Sequence, residues 1–206
     1  MPHIIHDFNI FMWNTMGART YWVDWFPVKE QILNGALKDS ALIVDVGGGK
    51  GHDLQIFHDK FPGEGKLILQ DLSHVLTQVG DLDSTVERLG YDFLTPQPIN
   101  DARVYFYHHI LHDWSYYKCL EILEGLKSAM KPGYSKLLLH EMIVPEKGAT
   151  NFHAILDLTM MGFNSGQERT EKEWRKLLTT AGFQHVKVWL SPEEDADGMV
   201  EAMLKI

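Results

Sequence analysis

Val44-Asp45-Val46-Gly47-Gly48-Gly49-Lys50-Gly51 decides the fold of this chain, because it joins the end of an apolar β-run to a glycine turn and a following helix. The run Ala41 to Val46 is short and rich in β-branched residues, which predicts a buried strand. The helix is expected from His52 to roughly His58, with Leu54, Ile56 and Phe57 as its buried contacts. Glycines at 47, 49 and 51 let backbone or ligand approach with no Cβ in the way. Counted from Gly47, a dinucleotide fingerprint G-x-G-x-x-G needs its third glycine at position 52, which is His52. The pattern is instead G-x-G-x-G. That argues against NAD and leaves two readings: a tight strand-to-helix turn with no ligand, or the cradle of an adenosine-type cofactor.

The next strand favours the cradle. Lys66 to Gln70 ends in Asp71, 24 residues after Gly47, where an acidic side chain can accept two hydrogen bonds from ribose hydroxyls. Asp92 and Phe93 follow a third strand and offer an acceptor for an exocyclic amine and an apolar wall for an adenine ring. Taken singly, Asp92 reads more readily as a turn residue.

At 206 residues the chain suits one α/β domain of ordinary size. A formal charge of −9, with no basic stripe, disfavours nucleic acid and an anionic membrane surface as partners. The single cysteine, Cys119, excludes an intramolecular disulfide framework, and the first residues lack the pattern of a secretory leader. The expected location is cytoplasmic. The longest apolar runs are strand-length, so no membrane span is expected.

Residues 1–38 stand apart as an aromatic-rich segment, with Phe8, Phe11, Trp13, Tyr21, Trp22, Trp25 and Phe26, and read as helices broken near Pro27. Residues 39–206 form the main domain. Strands are expected at 41–46, 66–70, 86–90, 102–107 and 136–141, separated by helical stretches, which implies a mostly parallel sheet with helices on both faces. Ser115 is the expected N-cap of a helix with Cys119, Leu120, Ile122, Leu123 and Leu126 on its buried stripe, stopped by Lys131-Pro132-Gly133. Thr170-Glu171-Lys172-Glu173 predicts a capping box for a later helix that closes at Gly182. Gln184 to Leu190 and Met199 to Lys205 read as two last strands. The acidic loop between them (Glu193, Glu194, Asp195, Asp197) is expected to be a solvated connection with no metal role.

In an open parallel sheet ligands collect beyond the carboxyl ends of the strands, so His108-His109-Ile110-Leu111-His112-Asp113-Trp114 is expected to face the cofactor. His112 is the natural general base, since an imidazole accepts a proton near neutral pH without special tuning. Glu141 and Glu168 could reach the same region, and a carboxylate bonded to an imidazole fixes its tautomer. His109 alone reads as a satisfied polar residue. A metal site at His108, His112 and Asp113 is the other reading, against which stand the missing H-E-x-x-H pattern and cysteine ligands; no metal is expected.

Three stretches together, Val44 to Gly51, Ile110-Leu-His-Asp-Trp114 and Asn164-Ser-Gly-Gln-Glu-Arg-Thr170, resemble the signature segments of plant and fungal small-molecule O-methyltransferases, closest to the fungal polyketide branch. The resemblance implies a Rossmann-like methyltransferase sheet ending in an antiparallel hairpin. It also implies S-adenosyl-L-methionine as cofactor, S-adenosyl-L-homocysteine as product, and a phenolic or polyketide hydroxyl as acceptor. By position it puts the methionine part of the cofactor at Asp45, Gly47, Gly48 and Gly49, the ribose at Asp71 and Leu72, and the adenine at Asp92 and Phe93. His108 and Asp113 complete the cofactor set. His112 matches the catalytic base, and Glu141 and Glu168 match its acidic neighbours. Trp13, Met160, Met161 and Asn164 match the acceptor-pocket wall, although Met160 and Met161 also read as ordinary helix core.

This chain departs from the family in two respects. The plant relatives carry a basic side chain where His108 stands. The family is homodimeric through an N-terminal helical domain, and residues 1–38 correspond only to its connecting helices. Without that domain the stretch from Trp13 to Phe26 is expected to be partly uncovered. Two other readings of the fold remain open: a pericyclase or isomerase that uses only the charge of the sulfonium, and a noncatalytic cofactor-binding domain.

Overall fold

The computed structural model describes residues 20–162 and 165–205. The chain enters through a short helix, α1 (Trp22–Trp25), and a π-helical turn, Lys29–Leu33. The break near Pro27 lies between them, where Phe26 is extended. Tyr21 is 46% exposed, so the described part of the expected stretch is partly uncovered, whereas Trp22 and Phe26 are buried. The reason is contact with the sheet and its helix: Trp22 stacks on Phe106 with ring centroids 5.0 Å apart and on Phe57 at 6.1 Å. Phe8, Phe11, Trp13 and Asn164 lie outside the described residues.

From there strand and helix alternate: β1 (Ala41–Val46), α2 (His52–Lys60), β2 (Lys66–Asp71), α3 (Ser73–Leu76), β3 (Glu87–Gly90), β4 (Val104–His108), a 3-10 turn (Leu111–Asp113), α4 (Tyr116–Lys127) and β5 (Lys136–Glu141). After β6 (Ile143–Val144), α5 (Asn151–Gly162), β7 (Arg169–Thr170) and α6 (Glu171–Thr180), the hairpin β8 (Phe183–Trp189) and β9 (Gly198–Leu204) closes the chain. Seven strands form one sheet in the order β3-β2-β1-β4-β5-β9-β8. All are parallel except β9, which runs antiparallel between β5 and β8. The fold is the expected Rossmann-like sheet with a C-terminal antiparallel hairpin.

Side-chain alternation along the strands builds two cores. Val44, Tyr105, Tyr107, Leu137 and Leu139 meet Cys119, Ile122, Leu126 and Trp174 on one face, while Ile43, Val104, Phe106 and Leu138 meet Trp22, Leu54 and Phe57 on the other. Strand β4 begins two residues later than expected, and Arg103 just before it turns its guanidinium to the carbonyls of Gln31, Ile32, Asn34 and Tyr134. The β6–β7 ladder was not foreseen, since two residues per strand carry no readable period.

Both expected helix starts are present. Ser115 Oγ accepts from Lys118 N. At α6, Thr170 and Glu173 exchange the reciprocal bonds of a capping box. Thr170→Ala is expected to cost about 1 kcal/mol, read as a fall in melting temperature of roughly 2–4 °C for a chain of this size. An unchanged melting temperature would mean that Glu173 or solvent satisfies the helix end alone.

Candidate functional site

The carboxyl edge of the sheet gathers the predicted residues. At the end of β1 the backbone N–H groups of Gly47 and Gly48 donate to Gln70 O at 2.8 and 3.2 Å, bending the chain away from the sheet. Gly47 has φ 72°, and a Cβ there would lie 2.6 Å from Ile110 Cδ1; a Cβ on Gly48 would lie 2.3 Å from Asp45 Oδ2. The turn therefore depends on glycine for space as well as for conformation. Asp71, at the tip of β2, accepts from Gly49 N (2.8 Å) and Leu72 N (2.7 Å). Each carboxylate oxygen retains acceptor capacity toward the open side.

Phe93 closes the far wall and meets Trp114 edge-on at 6.0 Å, with Ile110 between them and Gly47. Asp92 shows the turn role: its Oδ1 accepts from Leu94 N at 2.9 Å. Trp114 was quoted in the sequence motif yet given no role; its place beside Phe93 makes it part of this wall.

His112 sits on the 3-10 turn after β4 and is buried. Its Nδ1 lies 2.8 Å from Glu168 Oε1 and 3.9 Å from Glu141 Oε2. On the other side of the ring, Nε2 is 3.5 Å from Asp113 Oδ1, on a side chain that is 41% exposed and so marks the open side. Burial lowers the His112 pKa, which keeps the ring a free base. Burial raises Glu168 to about 7 and holds Glu141 well above the usual carboxylate range, with the nearby Glu168 adding to the effect on Glu141. Nδ1–H donating to Glu168 leaves the Nε2 lone pair on the Asp113 side.

The turn that carries His112 is clamped on every side. Glu141 Oε1 accepts from Leu111 N at 2.9 Å. Gln167 N donates to His112 O at 2.9 Å, and a Cβ on Gly166 would lie 2.2 Å from that oxygen. Buried Arg169 donates to Leu111 O (2.9 Å) and Trp114 O (3.0 Å). Arg169 and Gly166 belong to the quoted 164–170 stretch, but only the β6–β7 ladder brings them against the turn.

Beside this group lies a second, partly buried set that the sequence did not reveal. Asp53 Oδ2 is 2.7 Å from His108 Nδ1, and Asp53 Oδ1 accepts from Trp22 Nε1 at 2.9 Å. Burial opposes both charges, yet the pair prevails: Asp53 falls to about 2 and His108 rises to about 9. Asp45 is fully buried and its carboxyl is pushed well up by burial and by Asp53. His140 packs on His108 with ring centroids 4.2 Å apart, and burial followed by His108 lowers it to about 3. His109 Nε2 faces Asp197 Oδ1 at 3.1 Å.

Asp197 corrects the reading of its acidic loop as wholly solvated: it is 4% exposed. The cause is topological. Antiparallel β9 starts opposite Glu141, so the residue before Gly198 falls among the histidines at the strand ends. A run of acidic residues gives no hint which of them a reversed strand will bury.

A cleft of about 670 Å³ opens next to Glu168, between α5 and the β6–β7 ladder, and Met161, His153 and Asp157 line it. Met160 faces inward, enclosed with Met142 and Leu156. Among the described residues, no helix is long and apolar enough to cross a membrane.

The geometry agrees with what the chain resembles. Residues 24–184 match the family model for an O-methyltransferase domain. O-methyltransferase penC of Penicillium thymicola is 53% identical over 98% of this chain and 51% of its own length, so the chain spans about half of that relative. Among solved structures, LepI in complex with SAM superposes with a TM-score of 0.89 at 30% identity, over 100% of this chain and 53% of LepI. A pericyclic reaction enzyme gives 0.86 at 30%, over 100% and 53%. OxaC in complex with SAH and oxaline gives 0.81 at 36%, over 90% and 48%.

Proposed function

The chain belongs to the O-methyltransferase domain family, and on that premise we propose that it transfers a methyl group from S-adenosyl-L-methionine to a hydroxyl of a small aromatic or polyketide acceptor. The observation that carries the reading is Glu168 Oε1 2.8 Å from Nδ1 of His112, which stands on the turn after β4, the strand beside the one that ends in the glycine cradle.

The cradle suits the cofactor. Gly47 to Gly49 leave backbone exposed where any Cβ would collide or strain, Asp71 has acceptor capacity for ribose hydroxyls, and Phe93 with the edge-on Trp114 offers an apolar wall. Asp45, Leu72, Asp92, His108 and Asp113 complete the proposed lining. When bound, the sulfonium supplies an electrophilic methyl carbon, and the protein has to orient the acceptor and remove its proton. Orientation is worth roughly 7–11 kcal/mol of barrier and a general base about 10²- to 10⁴-fold in rate. His112 Nε2 takes the hydroxyl proton. Glu168 holds the tautomer and stabilises the imidazolium that results, while Glu141 keeps the turn in place. A phenol, with a pKa of about 10 by analogy with tyrosine, is the acceptor such a base activates most readily. Met161 in the adjoining cleft joins Trp13 and Asn164 as the proposed acceptor wall, while Met160, enclosed with Met142 and Leu156, is helix core.

A second reading, a pericyclase that uses the cofactor's charge alone, draws support from the likeness to the pericyclic reaction enzyme. An intact His112–Asp113 pair favours proton removal. The test is a thermal shift with S-adenosylhomocysteine followed by a panel of phenols and polyketides. At one hundred times the dissociation constant the ligand should stabilise the chain by about 2.7 kcal/mol, or roughly 5–10 °C, and Asp71→Ala should abolish the shift. Accumulation of S-adenosylhomocysteine with a methylated acceptor supports methyl transfer. Converted acceptor without cofactor consumption supports the pericyclase, and binding without either product leaves a noncatalytic domain.

A further inference from the structure

The second set, of which the methyl-transfer reading uses only His108 and Asp45 as cofactor lining, has a further capacity. Ligand-type atoms of His108, His109 and Asp197 lie within 4.8 Å of one another, and so do those of Asp53, His108 and His140. We infer that His108, His109 and Asp197 bind a borderline divalent transition ion of the zinc type, with Asp53 as the carboxylate behind His108 and His140 at its side.

The spacing is already close at one edge. Tetrahedral zinc with bonds of about 2.0–2.1 Å sets neighbouring ligand atoms roughly 3.3–3.4 Å apart, and His109 Nε2 to Asp197 Oδ1 is 3.1 Å. The other two edges lie within 4.8 Å. The tautomer is also prepared. A ligating imidazole characteristically donates its other N–H to a carboxylate, and His108 Nδ1 is 2.7 Å from Asp53 Oδ2, whose partner oxygen is fixed by Trp22 Nε1.

Two ring nitrogens then have nothing else to do. His108 Nε2 is buried without a hydrogen-bond partner, and so is Nδ1 of His140, a residue only 7% exposed. Orphaned buried polar atoms are costly unless a partner occupies the space beside them. His109 is held at φ 52°, a region few non-glycine residues enter, with its N–H on His140 O at 3.1 Å, and this conformation sets its ring beside that of His108. Two imidazoles and one carboxylate suit zinc, cobalt or nickel, whereas calcium and magnesium prefer all-oxygen shells. The sequence expectation of no metal rested on contiguous motifs. These ligands come from β4 and from the loop before β9.

Cobalt(II) titrated into the chelator-stripped 206-residue chain tests the site without reference to catalysis. The expected result is one equivalent bound, with visible ligand-field bands that zinc displaces. His109→Asn and Asp197→Asn should each weaken binding by at least about tenfold, and Asp53→Asn by about 10- to 100-fold. His74→Ala, which removes an exposed histidine, should leave binding unchanged. Circular dichroism confirms the fold of each variant, and His108→Gln replaces any that fails to fold. A folded wild-type chain without these bands, or bands that persist in both the His109 and Asp197 variants, overturns the site. Because the readout is metal alone, its failure leaves the S-adenosylhomocysteine shift standing.

Discussion

Replacing His112 by alanine is expected to lower methyl transfer by about 10²- to 10⁴-fold, the range a positioned general base contributes, while the affinity for S-adenosylhomocysteine changes little. The two effects separate because the proposed cradle is built from the glycine turn after β1 and Asp71 at the tip of β2, whereas the His112 ring is held by Glu168 on the turn after β4. His112→Gln serves as a second variant. It keeps a polar side chain in the buried position facing Glu168 Oε1, yet it cannot accept a proton at neutral pH. Single-turnover rates with a phenolic acceptor, beside calorimetry with S-adenosylhomocysteine, measure both quantities. If either variant kept more than about a tenth of the wild-type rate, His112 could not be supplying a base of ordinary strength.

Arg169→Ala should be the most destabilising single change in the site, by about 3–5 kcal/mol. Charged hydrogen bonds are worth about 1.5–3 kcal/mol each, and here two carbonyls of one turn lose theirs together. The vacated volume adds a cavity cost. The guanidinium also lies 5.1 Å from the Trp174 ring, so a contact between α6 and the turn is lost as well. The thiol of Cys119, which already donates to Leu111 O and Trp114 O, offsets only part of this as a weak donor. Scanning calorimetry should record a fall of roughly 6–20 °C. Arg169→Lys restores a charge but cannot span Leu111 O and Trp114 O with one ammonium as a planar fork does, so only part of the loss should return. A fall below about 2 °C in the alanine variant, less than 1 kcal/mol for this chain length, would show that Glu141 and Gln167 hold the turn without Arg169.

Much of this architecture is legible in the sequence because local chemistry decides it. The strand β1, its glycine turn and α2 follow from composition alone, and the capping box at Thr170 and Glu173 is a four-residue rule that the structure obeys. The closing hairpin was placed within one residue at each strand start. His112, Glu141 and Glu168 were nominated by their positions at strand and helix ends, and the fold does bring them together. The histidine–carboxylate set was not legible. Asp53 looks like an ordinary first-turn acid of α2, His140 like one residue of a strand, and Asp197 like part of a solvated run. Their meeting depends on the reversed direction of β9 and on Trp22 reaching Asp53. Nothing in residue type or spacing encodes either fact, because both are set by long-range packing.

The reversed strand also bears on how the chain reaches this state. Because β9 lies between β5 and β8, the sheet must admit its last strand into an interior position rather than add it at an edge. Until that insertion, His109 has no Asp197 and the carboxyl edge is incomplete. The His112–Glu168 contact likewise spans 56 residues. Contacts this distant in sequence carry a high loop-closure cost and form slowly. Recovery of cofactor binding should therefore trail recovery of helical structure during refolding, and the site is the last part of the molecule to become itself.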